Sequence, residues 1–308
     1  MIRGIQLGKD NIFCINAYKI IIFVVKSIAC HKDKSTYKKM KRIGMTIAVL
    51  IAGLLLMPYV ADAQKKSAIV AHRGFWNCEE AGYAKNSVAA LRCAQEAGFW
   101  GSEFDVNMTS DGVLIVYHDS DVEGKKIEKH PYETFKDFKI KNGEVIPTID
   151  MYLEQGSKYP ETMLVYELKP HSCAEVEDRF MELTIAKLKE HELLDPERVM
   201  FISFSLHICE VLAKELPGFT VQYLNSDKTP EDLAKRGING IDFNKELYRL
   251  HRKWYDMARE HNMSVNVWTV NKESSMKEMF LMGVDQLTTD NPLEARAVLK
   301  NIGYEELK

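Results

Sequence analysis

Eight β-α units closing as a (β/α)8 TIM barrel are what the sequence predicts beyond residue 63, on three observations. Short apolar or β-branched runs alternate with longer helix-patterned segments to the end of the chain. The runs number eight, and the roughly 245 residues that hold them match the size of one such barrel. No GxGxxG turn follows the first run, as a doubly wound open sheet built around a dinucleotide would require.

Taken in order, the runs are Ala68–Ala71, Gly101–Asp105, Met163–Glu167, Val199–Ser203, Thr220–Tyr223, Gly240–Phe243, Ser264–Val267 and Gln286–Thr289. Helical spacing of apolar residues marks Ser87–Ala97, Glu175–His191, Leu206–Glu215, Pro230–Lys235, Lys245–His261 and Lys272–Met282, and Pro292–Asn301 closes the chain. One interval breaks the rhythm. Between Asp105 and Met163 lie an extra apolar run, Leu114–Val116, a polar charged stretch from Asp121 to Asn142, and a helix at Thr148–Gln155. This spacing predicts a small insertion between the second strand and its helix, on the face where barrels carry active sites.

The segment before the barrel follows other rules. Lys38, Lys39, Lys41 and Arg42 precede an apolar stretch, Ile43–Met57, which is followed by Pro58 and Ala61-Asp62-Ala63. A basic region, an apolar region of about fifteen residues and a small-x-small site together compose a secretory signal peptide. Residues 40–63 are therefore expected to be removed, leaving a barrel domain over residues 64–308 that is exported to a periplasm or secreted. Met40 heads this unit, so residues 1–39 are expected to be an upstream extension of the gene. Retention of residues 43–60 as an anchor is the competing expectation. Neither this run nor Ile12–Ala29, which Lys19 and Lys26 interrupt, reaches the roughly 20 apolar residues of a spanning helix.

The whole chain carries a net charge of −3. Its first 63 residues hold ten Lys and Arg against three Asp and Glu, which leaves 31 basic and 41 acidic residues downstream and a net charge of about −10. Such a surface repels polyanions and argues against nucleic acid as a partner; membrane contact is expected only if the N-terminal segment is retained. Four cysteines remain in that part, Cys78, Cys93, Cys173 and Cys209. An exported protein can pair them, but their spacing is irregular and contains no CxxC, so a structural zinc site is not expected and both pairing and free thiols stay open.

Polar residues gather at the C-terminal ends of the strands, which converge on one mouth in a barrel. His72 and Arg73 follow the first run, Glu103 and Asp105 end the second, His118 and Asp119 follow the extra run, and Glu167 and Lys169 end the third. Side-chain alternation puts Glu103 and Asp105 on one face of their strand. With Glu167 they form a hard oxygen set suited to one divalent cation, Ca2+ or Mg2+, and too few histidines cluster with them for zinc to be the first choice. Arg73 can fork onto phosphate oxygens and Lys169 can add a point charge. His72 and His118 can divide the base and acid roles of a phosphoryl transfer. Trp268, after the seventh run, either fills the core or touches substrate. Asp290 and Asn291 are expected to cap the last helix ahead of Pro292.

The series His72-Arg73-Gly74, Glu103-x-Asp105, Asp111-Gly112 and His118-Asp119, with Glu167-x-Lys169 and Val267-Trp268-Thr269-Val270-Asn271 downstream, resembles the glycerophosphodiester phosphodiesterase family. The likeness runs from about Ile69 to Pro292, nearly the whole expected barrel. It implies a (β/α)8 barrel that hydrolyses glycerophosphodiesters to glycerol 3-phosphate and an alcohol with a divalent cation. It further implies His72 and His118 as the acid/base pair, Glu103, Asp105 and Glu167 as metal ligands, Arg73 and Lys169 near the phosphate, and Trp268 against the substrate's carbon skeleton. One departure stands out. Where the family usually opens its first helix with Pro-Glu-Asn-Thr, this chain has Ala84-Lys85-Asn86-Ser87, which keeps a good N-cap in Ser87 but exchanges a carboxylate for Lys85. Two other functions compete: a phospholipase-like reaction that releases a cyclic phosphate, and a non-catalytic binding barrel, which would not need both histidines.

Overall fold

The computed structural model describes residues 65–308, so the expected leader and upstream extension lie outside the described residues. Twelve strands are present among them. In chain order they are β1 (Lys66–Ala71), β2 (Gly101–Met108), β3 (Leu114–Val116), β4 (Asp121–Val122), β5 (Lys125–Lys126) and β6 (Met163–Leu168), then β7 (Val199–Ser203), β8 (Val221–Tyr223), β9 (Gly240–Asn244), β10 (Ser264–Trp268), β11 (Gln286–Thr289) and β12 (Glu305–Glu306). Eight of these, β1, β2 and β6 to β11, pair in parallel, and the β1–β2 and β1–β11 pairings close the ring. The eight-stranded barrel expected from the sequence is the fold.

Alternation along each strand divides the core in two. Val70, Val165, Met200, Ile202 and Leu224 point into the bore. Their neighbours in sequence, Ile69, Ala71, Leu164, Tyr166 and Phe201, point outward under the helices and belong to the larger cluster. Phe104 lies in that outer layer against Tyr152 and Tyr166, with ring centroids 4.5 Å and 4.9 Å away. Glu103 and Asp105, on either side of Phe104, therefore face the bore.

The helices are α1 (Val88–Glu96), α2 (Ile149–Gly156), α3 (Ala174–Glu190), α4 (Leu206–Glu215), α5 (Pro230–Lys235), α6 (Lys245–Leu250), α7 (Arg252–Glu260), α8 (Glu273–Met282) and α9 (Pro292–Asn301). Ser87, Thr148, Ser205 and Thr229 cap α1, α2, α4 and α5 by accepting a backbone N–H three residues on. The single helix expected over Lys245–His261 is two, broken at His251. The break lets both pieces reach inward: Tyr248 is fully buried and donates from its hydroxyl to the carbonyl of Asn266 at 2.6 Å, while Ala258 is buried on the second piece. Among the described residues no helix is long and apolar enough to cross a membrane.

The expected insertion after β2 is present and packs around a small core of its own. β3 folds back antiparallel on β2, with Val106 opposite Val116 and Met108 opposite Leu114. Asp111-Gly112, one of the motif's pieces, makes the turn between them: Asp111 accepts from the Thr109 hydroxyl and from the backbone N–H of Tyr132, and Gly112 sits at φ +87°. The stretch from Asp121 to Asn142 supplies Val122, Ile127 and Phe135 to a small core of its own with Ile115 and Ile146. Glu144 then fastens this lobe to the barrel. Its carboxylate accepts the backbone N–H groups of Val88 and Ala89 at the start of α1, where the helix dipole favours a negative charge.

Candidate active site

The turn after β1 is the tightest part of the site. Arg73 adopts a left-handed backbone, φ +58°, and Gly74 follows at φ +79°. A Cβ on Gly74 would lie 2.7 Å from the backbone carbon of Ala90, so only glycine lets α1 approach here. Asn86, also left-handed at φ +57°, donates its backbone N–H to the carbonyl of Arg73. Strained backbone at non-glycine residues persists only where the surroundings over-determine it. Here the determinant is the β2 carboxylates: Arg73 N–H donates to Glu103 at 2.7 Å, and the Asn86 amide donates to Asp105 at 2.8 Å.

Glu103, Asp105 and Glu167 meet at the mouth of the bore, each offering an oxygen within 4.8 Å of the others. All three are buried. Lys169 donates to Glu167 at 2.7 Å and Asp105 at 3.2 Å, and Arg73 approaches Asp105 at 3.5 Å. Three carboxylates against two cations leave one negative charge uncompensated among buried groups, which is costly. The titration behaviour follows. Burial, then Asp105 and Glu167, push Glu103 well above the usual carboxylate range. Burial and Asp105 push Glu167 up to about 7. Burial also acts on Asp105, but Lys169, His118 and Arg73 outweigh it and hold that carboxyl below its ordinary value. Glu103 Oε1 is buried with no hydrogen-bond partner. An orphaned oxygen in an acidic set short of one positive charge fits a hard divalent cation.

His72 and His118 stand beside this set, each bonded through Nδ1 to a carboxylate. His72 meets Asp290 at 2.8 Å and His118 meets Asp119 at 2.7 Å. An ionised carboxylate only accepts, so each ring carries its hydrogen on Nδ1 and leaves Nε2 for other work. The two pairs differ in depth: 17 % and 19 % of the side-chain surface is exposed for His72 and Asp290, against 40 % and 66 % for His118 and Asp119. Asp290 also accepts from Trp76 at 3.1 Å and Asn271 at 2.6 Å. These bonds, led by the one from His72, overcome burial and hold it at about 2. Burial shifts His118 below the usual imidazole value.

Asp290 is the residue that sequence patterning misplaced. The expectation of a helix cap holds only for the position of Asn291: it is the N-cap residue of α9 but makes no side-chain capping bond, its oxygen accepting from Asn77 instead, while Asp290 is spent on His72. The signal was present, since Asp290 ends the eighth strand, but a polar residue before Pro292 is also what a helix start looks like.

Two cavities meet at His118 and Arg73, which line both. The inner one, about 110 Å3, holds His72, the three carboxylates and Lys169, and is walled by Ile202, Phe204, Leu224 and Trp268. Trp268 donates its indole N–H to the carbonyl of Asp242 at 2.8 Å and meets Phe204 edge-on. The outer one is an open groove of about 530 Å3 between the Trp76–Asn86 loop and the insertion.

Residues 72–294 match the Glycerophosphoryl diester phosphodiesterase family. The chain belongs to this family. A glycerophosphodiester phosphodiesterase from Caldanaerobacter subterraneus subsp. tengcongensis is 27 % identical over 252 residues, spanning 74 % of this chain and 95 % of the relative. A solved glycerophosphodiester phosphodiesterase from Parabacteroides distasonis is 37 % identical, superposes with a TM-score of 0.75, and covers 78 % of this chain and 99 % of its own. A phosphodiesterase from Oleispira antarctica, solved with sn-glycerol-3-phosphate, shares the fold at a TM-score of 0.66 and 23 % identity, over 76 % of this chain and 96 % of its own. Against the phosphodiesterase family's usual Glu, Lys85 here lays its ammonium over the Trp76 ring, 4.5 Å from the centroid. The four cysteines of the described residues are free thiols; Cys93 is buried beside Cys78, and burial with that neighbour pushes it up to about 12.

Proposed function

We propose that this phosphodiesterase hydrolyses glycerophosphodiesters to glycerol 3-phosphate and an alcohol, with His72 as base, His118 as acid, and Glu103, Asp105 and Glu167 holding one divalent cation, Ca2+ or Mg2+. The observation that carries the proposal is the pair of carboxylate-held imidazoles beside an acidic set that lacks one positive charge. When bound, the cation supplies Lewis-acid polarisation of the phosphoryl oxygen and compensates the carboxylates.

Cavity size supports a division of the substrate between the two cavities. The inner cavity, about 110 Å3, is the smaller of the two and holds the charged groups that suit the glycerol phosphate end, and Trp268 and Phe204 give it an apolar wall for the carbon skeleton. Arg73 and Lys169 place fixed positive charge beside the phosphate, where charge accumulates as the phosphorus becomes five-coordinate. The leaving alcohol then lies in the outer groove. His72 lines only the inner cavity and His118 lines both. On this placement His72 Nε2 removes a proton from the attacking water as its oxygen bonds to phosphorus. The bond from phosphorus to the alcohol oxygen breaks, and His118, entering the step as the imidazolium with its Nδ1–H on Asp119, delivers its Nε2 proton to that oxygen and is left as the neutral Nδ1–H ring. Asp290 keeps neutral His72 in the Nδ1–H tautomer with Nε2 free to accept, and Asp119 stabilises the His118 imidazolium that the acid role requires.

The purified protein, incubated with glycerophosphocholine, glycerophosphoethanolamine, glycerophosphoglycerol and intact phospholipid in Ca2+, Mg2+ or chelator, tests the proposal. Glycerol 3-phosphate appearing only with a cation is the expected result; equal activity in chelator removes the metal. In labelled water, a persistent cyclic phosphate without 18O refutes direct hydrolysis. Residues 40–63 are proposed as an export leader, and an exported protein that begins at Gln64 is the outcome N-terminal sequencing checks.

A further inference from the structure

The outer groove carries a charge opposite to that of the chain. Lys85, Lys139 and Lys141 line it, and among the described residues none of the three makes an ion pair. The one carboxylate on its wall, Asp119, is taken by His118. Three lysines without an ion pair lining the groove that Arg73 and His118 also line, in a polypeptide with a net charge of −3, are a local exception that general surface composition does not explain.

The groove's aromatic faces are occupied as well. Lys85 Nζ lies 4.5 Å from the centre of the Trp76 ring, and Lys141 Nζ lies 5.3 Å from that of Tyr83. A quaternary ammonium alcohol would seek such faces by cation–π attraction. Here it would meet two ammonium groups already in place, and like charges in a groove repel. An anionic group meets the reverse: three ammonium groups with no carboxylate partner, two of them already placed in the groove by the rings of Trp76 and Tyr83.

We propose that the outer groove selects glycerophosphodiesters whose leaving alcohol carries an anionic group, a second phosphate or a carboxylate, over those with a cationic alcohol. The proposal rests on the assignment of the leaving alcohol to this groove and deepens it. Recognition comes from Lys85, Lys139 and Lys141, and the hydrolytic chemistry is unchanged by it.

The test compares kcat/KM of the purified protein with Mg2+ or Ca2+ on three substrates: glycerophosphoglycerol, glycerophosphoglycerol bearing a terminal phosphate, and glycerophosphocholine. The phosphate-bearing substrate is expected to exceed glycerophosphoglycerol by about tenfold or more at low ionic strength, and glycerophosphocholine to fall below it; the advantage shrinks as salt screens the lysines. In the triple variant Lys85→Gln, Lys139→Gln, Lys141→Gln, whose changes are all at exposed positions, the ratio of the first two values is expected to fall toward 1. A carboxylate-bearing alcohol, glycerophosphoglycerate, tells whether the groove wants phosphate in particular or negative charge. Hydrolysis of all three at similar kcat/KM, a preference for choline, or a ratio that survives the triple variant overturns the inference while leaving the proposed activity intact. No hydrolysis of any substrate overturns the proposed activity, and the inference with it.

Discussion

The two cavities that meet at His118 are built in opposite ways. The inner one is lined from strand ends: Glu103, Asp105 and Glu167 are buried, and the backbone and side chains around them are tied by short hydrogen bonds. The outer one is lined from loops and the insertion, with lysines that have no ion-pair partner, two of them lying over the rings of Trp76 and Tyr83. The difference teaches where each property resides. Strands fix positions to the tolerance that proton transfer and metal ligation demand, whereas loops can change a headgroup preference without touching that framework. The histidines show the same division. His72 belongs to the strand-built side, with an acceptor held by three donors, and His118 to the loop-built side, with an exposed one.

The largest expected effect would abolish the comparison. His72→Ala and His118→Ala should each reduce turnover by about a hundredfold or more, the range of general acid–base groups, as followed by glycerol 3-phosphate release. Near-parental turnover in either variant would remove that ring from the chemistry. Glu103→Gln keeps the shape of the acidic set and removes a charge, so the cation concentration for half-maximal activity should rise by about tenfold or more. An unchanged requirement would exclude Glu103 as a ligand.

The contrast between the two aspartates is sharper. Asp290→Asn should lower kcat by about a hundredfold, because an amide no longer enforces the Nδ1–H tautomer of His72. Asp119→Asn should cost about tenfold or less, since solvent can replace an exposed acceptor. Equal losses would mean that depth does not matter. The smallest effect is on stability. Asp290 is held at about 2, below the ordinary aspartate range, so its ionised form favours the folded state. That contribution is full above about pH 4 and is lost as the pH falls through about 2. The difference in urea midpoint between the parent and Asp290→Asn should therefore be constant near neutrality and close below pH 4; a difference that grows on acidification would contradict it.

Sequence alone determined the barrel and most of the inner cavity. Period-two alternation in β2 sets which of Glu103, Phe104 and Asp105 faces the bore, and the eight apolar runs set the strand count, because both are local properties of the chain. Lys85 was visible as a departure from the family but not as a cation lying over Trp76. The rest needed tertiary structure. Asp290 reaches His72 across 218 residues of sequence, and no local pattern distinguishes a carboxylate that ends a strand from one that starts a helix. The helix break at His251 separates the buried Tyr248, bonded to the carbonyl of Asn266, from the buried Ala258, contacts that lie outside the local sequence. The insertion's charged stretch hides Val122, Ile127 and Phe135 in a core that exists only once its turns bring them together. The outer groove is the extreme case. Lys85 comes from the loop before α1 and Lys139 and Lys141 from the insertion, so their shared field, unlike the pairing of Glu103 with Asp105, is a property of distances that only the folded chain possesses.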